Sequence, residues 1–125
     1  MDRKALEEIA REFRISLYET AISLGRDSTG ILAELAQAYA EAGRHAEGRA
    51  VDERLIARDP ANPTFQYNLA CSAAMLGDPD AAFEALKRAL VSGFGDVKLL
   101  LEDRDLESLR SDSRWAEILT LIAAR

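Results

Sequence analysis

Apolar positions recur at three- and four-residue steps along almost the whole chain, the spacing of helices that each bury one face. From Asp2, a suitable capping residue, Leu6, Ile9, Ala10, Phe13, Leu17, Ala21 and Leu24 form one broad stripe until Gly25 ends the segment. At about 100° per residue, Ile15, Tyr18 and Ile22 fall on nearly the opposite side as a second, smaller apolar face. Residues 1–28 are therefore expected to be an amphipathic helix packed on the helices after it; an alternative role for the chain is self-assembly, with Ile15, Tyr18 and Ile22 pairing with the same patch of a second copy.

Asp27, Ser28 and Thr29 supply capping chemistry for the next helix, Gly30 to Ala42, which is expected to bury Ile31, Leu32, Leu35 and Tyr39 and to turn Glu34, Gln37 and Glu41 outward. After Gly43 a helix from His45 to Arg58 has Ala46, Ala50, Val51 and Leu55 as its inward set, and Asp59-Pro60 stops it, because the residue before proline is pushed out of helical geometry. Pro63 and Thr64 open a helix to Leu76 carrying Tyr67, Leu69, Ala70, Ala73, Ala74 and Leu76. Gly77-Asp78-Pro79 turns the chain into a helix ending at Val91, with Ala82, Phe83, Leu86, Ala89 and Leu90 inward.

The stretch from Thr29 to Asp96 writes one helix-turn-helix pattern twice, 34 residues apart: Leu35 falls on Leu69, Ala36 on Ala70, Ala40 on Ala74, Gly43 on Gly77 and Arg54 on Arg88. This gives repeat units at 29–62 and 63–96. Beyond Val97 the period falters, and 97–125 reads as an irregular third unit: a helix from Lys98 interrupted at Asp103 to Asp105, a short turn at Leu106 and Leu109, and a last helix capped by Asp112 with Trp115, Ile118, Leu119 and Ile122 inward. Such a unit would cap an otherwise exposed end.

The pattern residues Leu35-Ala36, Tyr39, Gly43, Leu55 and Pro60, then Leu69-Ala70, Gly77, Ala82, Ala89 and Leu90, resemble two tetratricopeptide repeats. The departures are Leu32 and Gln66 for a large aromatic, Ala73 for a tyrosine, Gly48 for an alanine and Phe94 for the closing proline. The resemblance implies an all-α fold, an α-α superhelix of stacked helical hairpins with about seven helices, and a non-catalytic protein-binding scaffold. One co-chaperone class of that family clamps acidic tails with lysines and asparagines. Its positions fall here on Ala33, Gln37, Asn68, Lys98 and Glu102, so two of five match and Glu102 would repel the carboxylate.

Composition agrees with helix: 48% hydrophobic residues, 30% charged, only three prolines. A net charge of −6 makes nucleic acid or an anionic membrane a poor electrostatic match. Met1-Asp2-Arg3-Lys4 leads into a charged amphipathic segment rather than a long apolar run, so a cytoplasmic location is expected.

Candidate chemistry is thin. His45 has no second histidine or cysteine at ligand spacing, and the single Cys71 lies among alanines and reads as a structural thiol. Glu102, Asp103, Asp105 and Glu107 lack the glycine turn and terminal glutamate of a calcium loop and read as a solvated helix junction. The repeat pattern places His45, Cys71 and these acids in separate units, so no catalytic, cofactor or metal site is expected. What remains is the concave face lined by first helices: Glu34, Gln37, Glu41, Tyr67, Asn68, Cys71, Met75 and Lys98. Tyr67 and Met75 offer adaptable apolar contact and Glu34 and Glu41 an acidic rim, so the expected partner is a neutral or basic peptide segment of another protein.

Overall fold

The computed structural model describes residues 1–125 and is helical throughout, with contacts that divide it into two units, Met1–Arg58 and Asp59–Arg125. Eight α-helices and one 3-10 turn are formed, in line with the about seven helices expected, the extra one being the four-residue helix Glu107–Arg110 at the short turn.

In the first unit α1 (Arg3–Ser23), α2 (Thr29–Glu41) and α3 (His45–Arg58) pack in chain order. Asp2 caps α1 by accepting from the Ala5 N–H at 2.8 Å, and Ser28 caps α2 by accepting from Ile31 at 3.2 Å. The α2–α3 turn depends on Gly43, whose φ of 73° lets the Arg44 N–H reach back to the Tyr39 carbonyl at 2.9 Å and satisfies the end of α2. Gly77 makes the same ending 34 residues later, with Asp78 bonded to Ala73 at 2.9 Å. The duplicated pattern is thus a duplicated turn.

The two faces of α1 exchange the roles expected of them. Ile15 is 1% exposed and is the buried residue of α1, flanked by the half-buried Tyr18 and Ile22, so this face is closed to a second copy. The broad stripe points outward, with Phe13 69% and Leu17 56% exposed. The reason is polar. Beside the narrow face, Glu19 accepts from the Tyr39 hydroxyl at 2.5 Å, and Arg14 and Glu12 meet Glu41 and Arg44 at 3.5 and 3.4 Å. Making those pairs with α2 and the turn after it brings the narrow face inward and leaves the wide one out.

A smaller rotation appears in α3, where Gly48, Val51, Asp52 and Leu55 are buried and Ala46 and Ala50 are exposed. Alanines bury little area, so packing is governed by Val51 and Leu55.

In the second unit α4 (Pro63–Met75) and α5 (Pro79–Val91) form a hairpin, each opening with proline after a capping Asn62 or Asp78. Buried Ala70, Ala73, Ala74, Ala82, Ala85 and Ala89 allow close approach. Next come α6 (Val97–Glu102), the 3-10 turn Arg104–Leu106, α7 (Glu107–Arg110) and α8 (Trp115–Ala123). Leu100, Leu106, Leu109, Trp115 and Ile118 join Phe83, Leu86 and Leu90 in one core, while Leu119, expected inward, stays exposed.

Arg114 fastens this end. Its guanidinium lies 4.7 Å from the centre of the Phe83 ring, bonds Asp80 at 2.6 Å and pairs with Asp112 at 2.9 Å. Asp112 also accepts from the Arg114 N–H one position ahead of α8, instead of capping it directly. The Arg114 side chain and then its backbone N–H hold the Asp112 carboxyl down at about 2, below its ordinary 3.8. A lowered carboxyl stabilises the fold above its ordinary value and loses that contribution as pH falls toward its folded value. Asp112→Asn is therefore expected to melt below the wild type at neutral pH, with the gap closing between about pH 4 and pH 2. Melting curves across that range check it; a gap independent of pH refutes the assignment.

Candidate functional site

The proposed contact residues occupy equivalent positions on two helices: Glu34, Gln37 and Glu41 on α2 fall on Asn68, Cys71 and Met75 on α4 after a 34-residue shift. On α2 all three are exposed. Gln37 donates to Glu41 at 3.3 Å along the helix, and Glu41 meets Arg14 at 3.5 Å, so the strip is acidic, ordered and open.

On α4 the same strip is interrupted. Asn68 is half-buried and Met75 exposed, but Cys71 between them is 8% exposed and Tyr67 only 4%. The expectation that Tyr67 and Cys71 are contact residues on an open face is thereby corrected. Two groups close over them. The Phe94 ring stacks on Tyr67 with centroids 4.2 Å apart and planes 9° from parallel. Asp103 accepts the Tyr67 hydroxyl at 2.6 Å and lies 3.8 Å from the Cys71 sulfur. The same carboxylate accepts from the Asp105 N–H at 3.0 Å, which starts the 3-10 turn. Arg110 reinforces the corner by donating to the Leu100 and Asp103 carbonyls at 3.2 and 2.8 Å. Lys98, on α6, is exposed.

Phe94 is where the repeat pattern has a closing proline. A proline there could not donate the Phe94 N–H bond to the Ala89 carbonyl, 2.9 Å, which turns the chain so that the ring reaches Tyr67. That departure was visible in the sequence, but its consequence was not. Asp103 interrupts the helix, as the pattern suggests; its reach back across 36 residues to Tyr67 has no periodic signal, since the repeat register is lost there.

The cluster also corrects the expectation that Cys71 and the acids lie apart. The Cys71 sulfur and carboxylate oxygens of Asp103 and Asp105 come within 4.8 Å of one another. His45 is not among them; it begins α3 in the other unit. The geometry is wrong for nucleophilic chemistry. Burial, then the charges of Asp103 and Asp105, push the Cys71 thiol up, away from the reactive thiolate. Burial and the bond to Asp103 likewise push the Tyr67 hydroxyl up, so it stays a donor. Asp103 is engaged by a hydroxyl and a backbone N–H, which makes it a brace between α4 and the 3-10 turn.

Residues 10–63 and 33–96 each match the tetratricopeptide repeat family, together covering 10–96. The chain belongs to this family. Repeats of this family form protein–protein interaction scaffolds, and that general role is what the chain's two repeats provide. A chloroplastic protein of Arabidopsis thaliana is 40% identical over 53 residues, which is 42% of this chain and 16% of that protein's length. No solved structure matches. No helix is long and apolar enough to cross a membrane.

The tetratricopeptide unit that holds this brace can be probed at two residues. Tyr67→Phe, which removes only the hydroxyl, is expected to lower unfolding free energy by about 1–2 kcal/mol, and Tyr67→Ala by about 3–5 kcal/mol, both read by urea denaturation. An unchanged Tyr67→Phe would mean that the bond to Asp103 contributes nothing. Cys71 is expected to be blocked to an aromatic disulfide reagent in the native protein and to react stoichiometrically in denaturant; rapid native labelling would contradict its burial.

Proposed function

We propose that this chain is a non-catalytic scaffold that holds a segment of another protein against α2, the first helix of its first repeat, with the strip Glu34, Gln37 and Glu41 as the contact. The observation that carries this reading is the contrast between equivalent positions: Gln37 is exposed where Cys71 is sealed by Asp103. Asn68, Met75 and Lys98 lie in the other unit, where Tyr67 supports the fold. Two carboxylates on the strip and a chain charge of −6 favour a neutral or basic segment over an acidic one. The cytoplasmic location expected from the sequence belongs to the same proposal.

Absence of catalysis fits the one cluster of reactive residue types, whose thiol is kept protonated and whose carboxylate is already bonded. The test is affinity capture from the source cell with wild type and with Glu34→Lys/Gln37→Lys, which reverses the strip's charge and leaves the Glu41–Arg14 pair in place. Captured proteins are expected to fall at least about tenfold, corresponding to about 1.4 kcal/mol, while helicity and melting temperature stay unchanged. Equal capture by a folded variant would remove α2 as the contact face.

A further inference from the structure

The outward stripe of α1 carries five of the chain's twelve exposed large hydrophobic residues. Leu6, Ile9, Phe13, Leu17 and Leu24 are each more than half exposed on one side of a single helix. Exposed apolar residues scattered singly need no explanation, but a contiguous stripe of this kind marks an interaction site.

Shifted by 34 residues, α1 falls on α3, and by 68 on α5, so α1 stands in the position of the second helix of a hairpin. Leu17 then corresponds to Val51 and Ala85, both buried, in hairpins where α2 packs on α3 and α4 on α5. Leu17 itself is 56% exposed. At Leu17 the stripe is thus exposed where both hairpins bury the equivalent residue, whereas the positions equivalent to Phe13 and Leu24 are not buried in either.

We propose that a second copy of this chain covers it, each α1 laying its outer stripe on the other's. Three observations favour a copy of itself over an unrelated partner. The face runs Leu6, Ile9, Phe13, Leu17 and Leu24 with alanine, serine and threonine between, and carries no charge that a different partner would have to match. Between Asp2 and Arg26 five acidic and five basic side chains balance, so two α1 segments do not repel one another although the whole chain carries −6. The five large side chains expose roughly 600 Å² per copy, so pairing them covers up to about 1,200 Å² in total, at the low end of specific interfaces and in keeping with a dimer that dissociates on dilution. An isologous pair closes on itself and leaves no further apolar edge. Because the inner face, with Ile15, is used within the chain, pairing requires no rearrangement.

The experiment is sedimentation velocity with multi-angle light scattering on the full chain through the micromolar range. The wild type is expected at twice the monomer mass of 13.8 kDa, dissociating on dilution and unaffected by molar salt. Phe13→Glu/Leu17→Glu is expected to be monomeric with native helicity, because both side chains point to solvent in the single chain. If that variant does not fold, Leu6→Gln/Ile9→Gln, at the other end of the stripe, serves in its place and is expected to weaken the dimer at least tenfold. A monomeric wild type throughout, dissociation by salt, growth beyond the dimer, or a folded stripe variant that remains dimeric would each overturn the proposal.

Discussion

The close meeting of α4 and α5 along alanines is the constraint on which the second unit rests. Ala70, Ala73, Ala82, Ala85 and Ala89 bring almost no side chain to the contact, so the two helices can approach near the short end of the usual 8–10 Å spacing. A contact made of alanines buries little apolar area by itself. The larger residues of α5, Phe83, Leu86 and Leu90, need other surfaces, and Leu100, Leu106, Leu109, Trp115 and Ile118 supply them. The hairpin therefore requires the irregular segment after it, and the short helices beyond Gly95 are as much part of the core as the regular repeat.

That requirement alters the repeat's outer face. To place Leu106 and Leu109 in the core, α6 must end and the chain must turn at Asp103, where φ of −62° and ψ of 124° leave helical geometry. The carboxylate that caps the new turn then lies against Tyr67 and Cys71. Two repeats with the same register consequently offer different surfaces: an open acidic strip on α2 and a sealed one on α4. In a scaffold family, where function lies in which side chains remain uncovered, this difference carries more functional meaning than the shared pattern.

The first helix shows the same logic in reverse. Its wider stripe has more apolar area to bury, and area alone would turn it inward. The narrow face goes in because Glu12, Arg14 and Glu19 flank it and find Arg44, Glu41 and Tyr39. Exposed pairs of this kind are individually weak. The hydroxyl bond from buried Tyr39 is different, since burial and Glu19 push that hydroxyl up and an unpaired polar group at this position would be costly.

The sequence by itself determined the helices, their turns and their family, because periodicity, capping and the glycine endings at Gly43 and Gly77 are local and were written twice. It also placed Glu34, Gln37 and Glu41 on one outward face, since three residues on one helix share a side by spacing alone. Only the tertiary structure decided which face of α1 is buried, that Tyr67 and Cys71 are covered, and that Asp103 covers them. Those outcomes depend on groups 20 to 36 residues apart competing for one surface. A helical period describes the faces a segment has, and the neighbour that reaches it chooses among them.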